Sequence, residues 1–371
     1  MHTRRNTLWT SGALKLTAGS LFALMVAVIF APTVSQAQTT STAVPFLLIA
    51  PDARASGMGD VGTGIADNVS AIYWNPSGLA FQSGKEVSLT HSQWLPQFNS
   101  DLFYDHVNFK WNDDEKFGGT IGAEITFLNL GTFIYTNESS PDALGQFRSF
   151  EYAIALAYAT KLSNDWGFGG AVRYVQSSLS TLHVGQERQN GVGRSVSFDI
   201  SAIWRPDSTY AEGIANALAV GFNLANIGPK VKYVDVAQAD PLPTVLRVGA
   251  SYKLYKDQYN ELTLASDLAK LLVKRDSNST DGLPKAFITS WDKYTGQSLM
   301  WSTGLEYWYD QLLALRAGYY TEGSVVGGRR YMTFGAGLRY DIYQFDFSYI
   351  NTFEQNHPLA NTLRFTLGVR W

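Results

Sequence analysis

The sequence predicts an all-β fold, a fourteen-stranded antiparallel transmembrane β-barrel of the outer-membrane kind with an N-terminal segment plugging its lumen. Apolar and polar residues alternate in segments of about ten residues, and the links between these segments alternate between long and short. Aromatic residues make up 14% of the chain and charged residues 16%, whereas a typical soluble domain carries about 25% charged residues. Together these features favour strands that face lipid.

The start of the chain is predicted to be a secretory signal peptide. Arg4 and Arg5 give a basic start, residues 21–31 are apolar, and Ala37 is the small residue before the expected cleavage point. We therefore expect an exported protein. The predicted organisation is residues 1–37 as signal peptide, 38–84 as N-terminal plug segment and 85–371 as transmembrane β-barrel.

Composition excludes several classes of function. The chain has 0 cysteines, so a disulfide framework and a thiolate nucleophile are excluded. Its formal net charge is -3. It has no run of five basic residues, which argues against a nucleic-acid partner. After the signal peptide there is also no apolar run of 18 or more residues, the length that a membrane-spanning helix needs.

The alternation of apolar and polar residues is clearest at the end of the chain. Leu363, Phe365 and Leu367 share one face of the predicted strand, while Arg364 and Thr366 share the other. Fourteen segments of this kind are predicted, an even number as bacterial barrels require. Their centres lie near residues 90, 107, 122, 155, 171, 199, 221, 249, 264, 305, 316, 336, 347 and 366.

The links predict how the barrel is oriented. Long links mostly follow the odd-numbered segments, as at residues 129–149, and tight turns mostly follow the even-numbered ones, as at residues 163–165. Residues 205–216 are the exception. Because outer-membrane barrels have long external loops and short periplasmic turns, both termini are expected in the periplasm.

Aromatic residues near the strand ends predict two girdles at the height of the lipid headgroups. Aromatic side chains are common at such interfaces because one end is apolar and the other can hydrogen-bond. The periplasmic girdle is predicted to contain Trp111, Trp166, Trp204 and Trp371, and the outer girdle Trp94, Tyr319, Tyr320 and Tyr331.

Charged residues fall on the opposite, inward face of the predicted strands. Opposite charges on neighbouring strands can pair across a lumen. Two interpretations remain open: a path for a ligand or ion, and an ion-pair network that stiffens the wall. The residues of this predicted polar network are Glu306, Arg316, Arg339, Asp346 and Arg364.

The segment before the first strand is rich in glycine and alanine but contains apolar residues that need burial. A barrel lumen is the natural place for it. Gly57, Gly59 and Gly62 match the pattern GxGxxG. A dinucleotide site needs a strand before this pattern and a helix after it, whereas here an Ala-Pro-Asp turn precedes it and β segments follow. We therefore expect these glycines to allow close backbone packing.

Two motifs in this segment carry a family resemblance. PDARASGMGD at residues 51–60 and WNPSGLAF at residues 74–81 resemble the start of PorV proteins, the outer-membrane barrels of the type IX secretion system in Bacteroidetes. The core of the second motif is similar to the NPAGL element of the FadL fatty-acid transporter superfamily, whose barrels have fourteen strands. Trp74, Asn75, Pro76, Gly78 and Leu79 are expected to form a turn that seats the plug against the wall, with Gly78 able to take positive φ.

The resemblance implies a function and a set of partners. A PorV-like barrel would dock on the translocon barrel SprA and bind the C-terminal signal domain of an emerging cargo protein. It would then carry the cargo to the PorU sortase, which attaches it to lipopolysaccharide at the cell surface. The relative PorQ remains an alternative within the family, and a FadL-like channel for hydrophobic small molecules is the rival function.

The sequence contains none of the catalytic motifs for which it was searched. The mature histidines are His91, His106, His183 and His357, and no two of them stand at metal-ligand spacing. The sequence has no GxSxG, HExxH or P-loop motif. We therefore expect no enzyme activity, no cofactor and no metal.

The longest predicted loop is a candidate partner-binding site. Residues 271–298 carry Leu283, Phe287, Trp291 and Tyr294 among lysine and aspartate residues. Exposed aromatic residues rimmed by polar groups are typical of interface anchors. The other interpretation is a loop folded over the barrel mouth with these side chains packed inward.

Overall fold

The computed structural model describes residues 42–98, 101–137, 140–183, 190–206, 216–233, 239–276, 279–292, 295–354 and 357–371. All of them belong to one compact unit, Ala37–Trp371. The predicted signal peptide, Tyr294 and most of the link at 205–216 lie outside the described residues.

Fourteen antiparallel strands close into a barrel. Closure is made by the first and last strands, where Glu86 stands opposite Arg370 and Ser92 opposite Arg364. Each of the fourteen predicted segment centres falls inside one of these strands, so the predicted fold class is confirmed. The barrel strands are β1 Lys85–Gln93, β2 Phe103–Asp113, β3 Gly119–Asn137, β4 Ser140–Lys161, β5 Trp166–His183, β6 Asn190–Trp204, β7 Leu218–Ile227, β8 Val245–Lys256, β9 Asn260–Leu271, β12 Leu299–Tyr309, β13 Leu313–Glu322, β14 Arg330–Tyr340, β15 Tyr343–Thr352 and β16 Leu363–Arg370. Two short strands, β10 Arg275–Asp276 and β11 Ser279–Thr280, form a separate hairpin in the link between β9 and β12.

Alternation along each strand separates an apolar outside from a polar inside. In β16, Leu363, Phe365 and Leu367 are exposed on the outer face, whereas Arg364 and Thr366 are buried. Large apolar side chains are exposed in the same way on the other barrel strands. A surface of this kind would aggregate in water but is stable against lipid.

The barrel has a turn end and a loop end, named for the links found there. At the turn end, Asp310 and Gln311 both adopt φ 52° between β12 and β13, as expected for a tight two-residue hairpin turn. In the turn after β8, Asp257 accepts hydrogen bonds from the Tyr255 hydroxyl and from the backbone N–H groups of Tyr259 and Asn260. These hydrogen bonds, with the one from Tyr255 contributing most, lower the pKa of Asp257 to about 2.

Two strands continue far beyond the wall at the loop end. β3 has 19 residues and β4 has 22, whereas about ten residues cross a bilayer. The predicted link at 129–149 is thus mostly a β-ribbon and not an irregular loop. Within the described residues, β3 beyond Asn129 pairs with β4 alone, and β4 pairs with β5 only from Phe150 onward.

An inner segment, residues 42–84, lies against the inward face of the barrel. It starts at the loop end, where the Ala43 N–H donates to the Pro241 carbonyl oxygen over 2.9 Å, and it reaches β1 at the turn end beside Trp371. The two ends of the described chain therefore lie at opposite ends of the barrel. The inner segment thus runs along the lumen before β1 begins, and the location of both termini in the periplasm stays a prediction.

Short helices give the inner segment its path. It contains a 3-10 turn at Pro45–Leu48, helix α1 at Ala53–Ser56, helix α2 at Ala71–Trp74 and a second 3-10 turn at Pro76–Phe81. The links carry the remaining helices, α3 Asp114–Phe117 and α4 Leu283–Thr289, with 3-10 turns at Pro96–Phe98 and Thr295–Ser298. No helix in the described chain is both long enough and apolar enough to span a membrane.

One part of the predicted aromatic girdle is wrong. Tyr320 and Tyr331 face the lumen, where both are buried and their rings stack 4.7 Å apart. Tyr319 does face outward and contacts Trp301. Because successive side chains of a strand point to opposite faces, Tyr319 and Tyr320 could not both belong to an outer girdle.

Candidate functional site in the lumen and at the loop end

A track of glycines in the wall receives the inner segment. Gly304 and Gly318 stand opposite each other on β12 and β13, and a Cβ on Gly318 would lie 2.0 Å from the carbonyl carbon of Met58. A Cβ on Gly304 would lie 2.3 Å from the Met58 oxygen. Real Cβ atoms do not approach backbone this closely, so the wall must be free of side chains here for the segment to fit.

The GxGxxG glycines of the inner segment serve the same close packing. Gly59 adopts φ +74°, and its N–H donates to the Thr333 hydroxyl over 2.8 Å. A Cβ on Gly62 would lie 2.2 Å from the Trp74 ring. The pattern therefore has a steric origin in this chain.

The predicted plug motif lies at the centre of the inner segment and contacts several strands. The Trp74 indole N–H donates to Asp52, and its carbonyl accepts from Asn223 on β7. The Asn75 side chain donates to the Thr63 carbonyl over 2.9 Å. Leu79 is fully buried, and its carbonyl accepts from the Thr120 hydroxyl on β3.

Pro76 and Gly78 shape the turn that follows α2. Pro76 occupies the first turn of the 3-10 helix, a position where the missing N–H costs nothing. A Cβ on Gly78 would lie 2.1 Å from the Ala66 oxygen. Gly78 is required for this close approach, and it does not take the positive φ that the sequence suggested.

Exchanging both residues for alanine should loosen the inner segment. We expect P76A/G78A to lower the unfolding midpoint, because Ala66 must move away from the new Cβ, and to raise solute permeation through the lumen. Thermal unfolding in detergent and swelling of reconstituted vesicles measure the two effects. Wild-type values in both measurements would argue against a sealing role for the motif.

Three residues of the predicted polar network meet in one buried chain of ion pairs. Glu306 on β12 accepts from Arg316 on β13 over 2.7 Å, and Arg316 donates to Asp346 on β15 over 2.7 Å. Gly337 on the intervening strand β14 leaves room for the second pair, because a Cβ there would lie 2.6 Å from Asp346.

The inner segment supplies the partner that the sequence did not reveal. Arg54 in α1 donates to both oxygens of Glu306, over 2.7 and 2.8 Å, and also pairs with Asp67. The carboxylate of Glu306 thus lies between two guanidinium groups, one from the segment and one from the wall. The network therefore joins the inner segment to the barrel wall.

Arg339 and Arg364 lie apart from that chain of ion pairs. The Arg339 guanidinium lies 4.1 Å from the centroid of the Trp308 ring, a cation–π contact. Arg364 is buried on β16, and in the described part of the chain its Nε and Nη1 atoms have no hydrogen-bond partner.

A second buried cluster lies on the opposite side of the lumen. Arg173 on β5 contacts Glu124 on β3 over 2.9 Å and Asp199 on β6 over 3.1 Å. It also donates to the Asn226 side chain over 2.8 Å. Each carboxylate comes from a strand near β5, so this cluster links neighbouring strands of the wall.

The inner segment has a cavity on each side. The cavity toward the loop end is lined by apolar and aromatic residues together with five charged ones, Asp60, Arg247, Asp267, Arg329 and Arg364. The cavity toward the turn end is lined by Arg54, Glu306 and Arg339 among others. Arg54 and Glu306 line the second cavity and not the first.

One residue of the candidate partner-binding loop can be placed relative to the barrel wall. Leu283 and Phe287 in α4 are half-buried and Trp291 is half-exposed. The Trp291 ring lies 5.6 Å from the ammonium of Lys270 on β9. Since Lys270 stands opposite Leu246 and Leu299 on the outer face, Trp291 lies against the outside of the wall.

Among the described residues, no group of three histidine, cysteine, aspartate or glutamate side chains is placed to hold an ion.

Residues 32–278 match the family described as Type IX secretion system protein PorV. The toluene transporter TodX of P. putida aligns with 86% of this chain and 98% of its own at 9% identity, with a TM-score of 0.53. The toluene transporter TbuX of Ralstonia pickettii aligns with 88% and 100% at 13% identity and a TM-score of 0.49. A FadL homologue of Pseudomonas aeruginosa aligns with 90% and 98% at 10% identity and a TM-score of 0.46. No curated protein matches.

A closed barrel with an apolar exterior and a polar interior defines an outer-membrane β-barrel. The likeness to TodX shows the same fold and, at 9% identity, the fold alone. The family match covers more than half of the chain, so this protein belongs to the PorV family of the type IX secretion system. The resemblance seen in the sequence is thereby confirmed.

Proposed function

We propose that this chain is a non-catalytic carrier that binds the C-terminal signal domain of cargo leaving the translocon and delivers it to the attachment complex at the cell surface. Membership of the PorV family carries the proposal. SprA, PorU and surface lipopolysaccharide are the partners that the family resemblance implies. The chain would act through the surface that it presents at the loop end.

The β3–β4 ribbon is the part of that surface best suited to cargo. Eight residues of β3 lie beyond Asn129, which corresponds to about 25 Å of extended chain. Phe133, Ile134 and Leu144 are exposed on the ribbon. Its two edges lack barrel partners in the described chain, and a free edge can accept a strand from a β-sandwich domain.

The lumen supports a docking role better than transport of small hydrophobic molecules. Ion pairs between Arg54, Glu306 and Arg316 lie buried in the lumen where the inner segment meets the wall. An apolar solute would have to displace this buried charged layer, which is costly. A FadL-like channel therefore remains the weaker candidate.

Polar replacements on the ribbon test the proposal. We expect F133S/I134S to insert as a folded barrel and to attach much less cargo to the cell surface, because the apolar contact surface is lost. Cargo on intact cells and heat-modifiable migration of the barrel give the two readouts.

F353S is the matched control, since Phe353 is equally exposed at the loop end and lies outside the ribbon. It should leave attachment unchanged. If F133S/I134S attached cargo at the wild-type level, the ribbon would not be the cargo site. If the wild-type protein never copurified with translocon or cargo from mildly solubilised membranes, the carrier function itself would fail.

A further inference from the structure

A lysine lies on the lipid-facing side of the wall near the loop end. The neighbours of Lys270 in the sheet are Leu246 and Leu299, both on the outer face. Its ammonium donates to the Ser298 hydroxyl over 2.6 Å and lies 5.6 Å from the Trp291 ring. The chain thus folds back over the rim and covers this charge with an aromatic side chain.

Nearby aromatic residues on the outer face indicate where Lys270 lies along the membrane normal. Trp301 and Tyr319 contact each other on the outer face, and outward aromatic residues mark the headgroup boundary. Trp301 stands opposite Leu268, two residues before Lys270, so the lysine lies about 7 Å farther along the strand. Because barrel strands are tilted, this distance places it about 5 Å closer to the loop end, within the headgroup region.

The covering segment presents a mixed apolar and basic surface. Ile288 is 78% exposed and Trp291 50% exposed, which is unfavourable in water and favourable at a membrane interface. Lys274 pairs with Asp292 over 2.5 Å, and Lys285 with Asp281 over 2.7 Å.

Basic residues outnumber acidic ones around the segment. Lys230 is tied to it by a hydrogen bond to the Thr280 carbonyl, and Lys270 lies beneath Trp291. The hydrogen bond from Lys285 lowers the pKa of Asp281. The remaining positive charge is complementary to anionic headgroups.

We propose that α4 and the turn to Asp292 form a membrane-interface anchor that binds the phosphate groups of a glycolipid in the leaflet around the loop end. Ile288 and Trp291 insert among the acyl chains, and Lys274 and Lys285 lie at the phosphates. Since long loops of outer-membrane barrels face outward, this leaflet is the outer one. Continuity with the lipid-facing wall through Lys270 favours lipid over a protein partner.

The absence of cysteine in the natural chain allows a depth measurement with single-cysteine variants. I288C is labelled with a fluorophore and reconstituted into phosphatidylcholine vesicles with or without lipid A, and quenching by lipid-borne and aqueous quenchers is compared. L268C, on the lipid-facing wall, and I134C, on the β3–β4 ribbon, are the matched controls for lipid and water.

We expect the label at 288 to be quenched by the lipid-borne probe, as at 268, and to move deeper when lipid A is present. K274Q/K285Q should weaken the response to lipid A by about 30-fold, because each lysine near an anionic surface contributes about 1 kcal/mol. Aqueous quenching equal to that at 134 would overturn the proposal. A photo-crosslink from position 288 to a protein and not to lipid in native membranes would also overturn it, in favour of a lateral protein contact.

Discussion

Replacing Glu306 with alanine is expected to destabilise the folded protein by about 3–5 kcal/mol. Glu306 is buried and accepts hydrogen bonds from Arg54 at 2.7 and 2.8 Å and from Arg316 at 2.7 Å. Without the carboxylate, each of the two buried guanidinium groups loses one of its carboxylate partners, so that Arg54 keeps only Asp67 and Arg316 keeps only Asp346. The loss is large because the two positive charges then face each other with no anion between them.

Unfolding in urea, followed by tryptophan fluorescence of the protein in detergent, measures the effect. E261A is the matched control, since Glu261 also has two basic partners, Lys253 at 3.4 Å and Lys256 at 2.9 Å. Both lysines are partly exposed, so the control should lose less than about 1 kcal/mol. Equal losses in the two variants would show that the Glu306 cluster is solvated and does not hold the inner segment.

The strands were predictable because their physical cause is local. Residues two positions apart in a strand share one face, so the alternation shows which face of each strand is apolar. This pattern places Glu306, Arg316 and Asp346 on the inside of the barrel. The pairing of Arg316 with Asp346 was harder to predict from the sequence, because the two residues are on strands separated by β14 and meet across Gly337. It depends on register, which alternation alone does not specify.

The inner segment shows where prediction from one sequence ends. Its need for burial was visible in its composition, but Arg54 and its partner Glu306 are 252 residues apart. No local rule joins them. In the same way, the exposed residues of the long loop were visible, but periodicity does not say on which side of the rim a loop lies, and Trp291 lies on the outside against Lys270.

A methyl group on the wall should be enough to displace the inner segment. G318A places a Cβ 2.0 Å from the carbonyl carbon of Met58 and 2.1 Å from the Gly59 nitrogen. Both contacts are with backbone, so no side-chain rotation can relieve them, and the hydrogen bond from the Gly59 N–H to Thr333 would be strained. We expect a loss of about 3 kcal/mol, the upper end for an overpacked site.

Thermal unfolding and protease cleavage within residues 42–84 report this displacement, because a segment lifted from the glycine track becomes accessible. G296A is the control, since a Cβ on Gly296 meets nothing within 4 Å. A barrel that keeps its unfolding midpoint but loses protection of the segment would show that wall and segment are stabilised separately. Wild-type stability together with full protection would show that the close fit of Gly318 against Met58 is not needed to hold the segment in place.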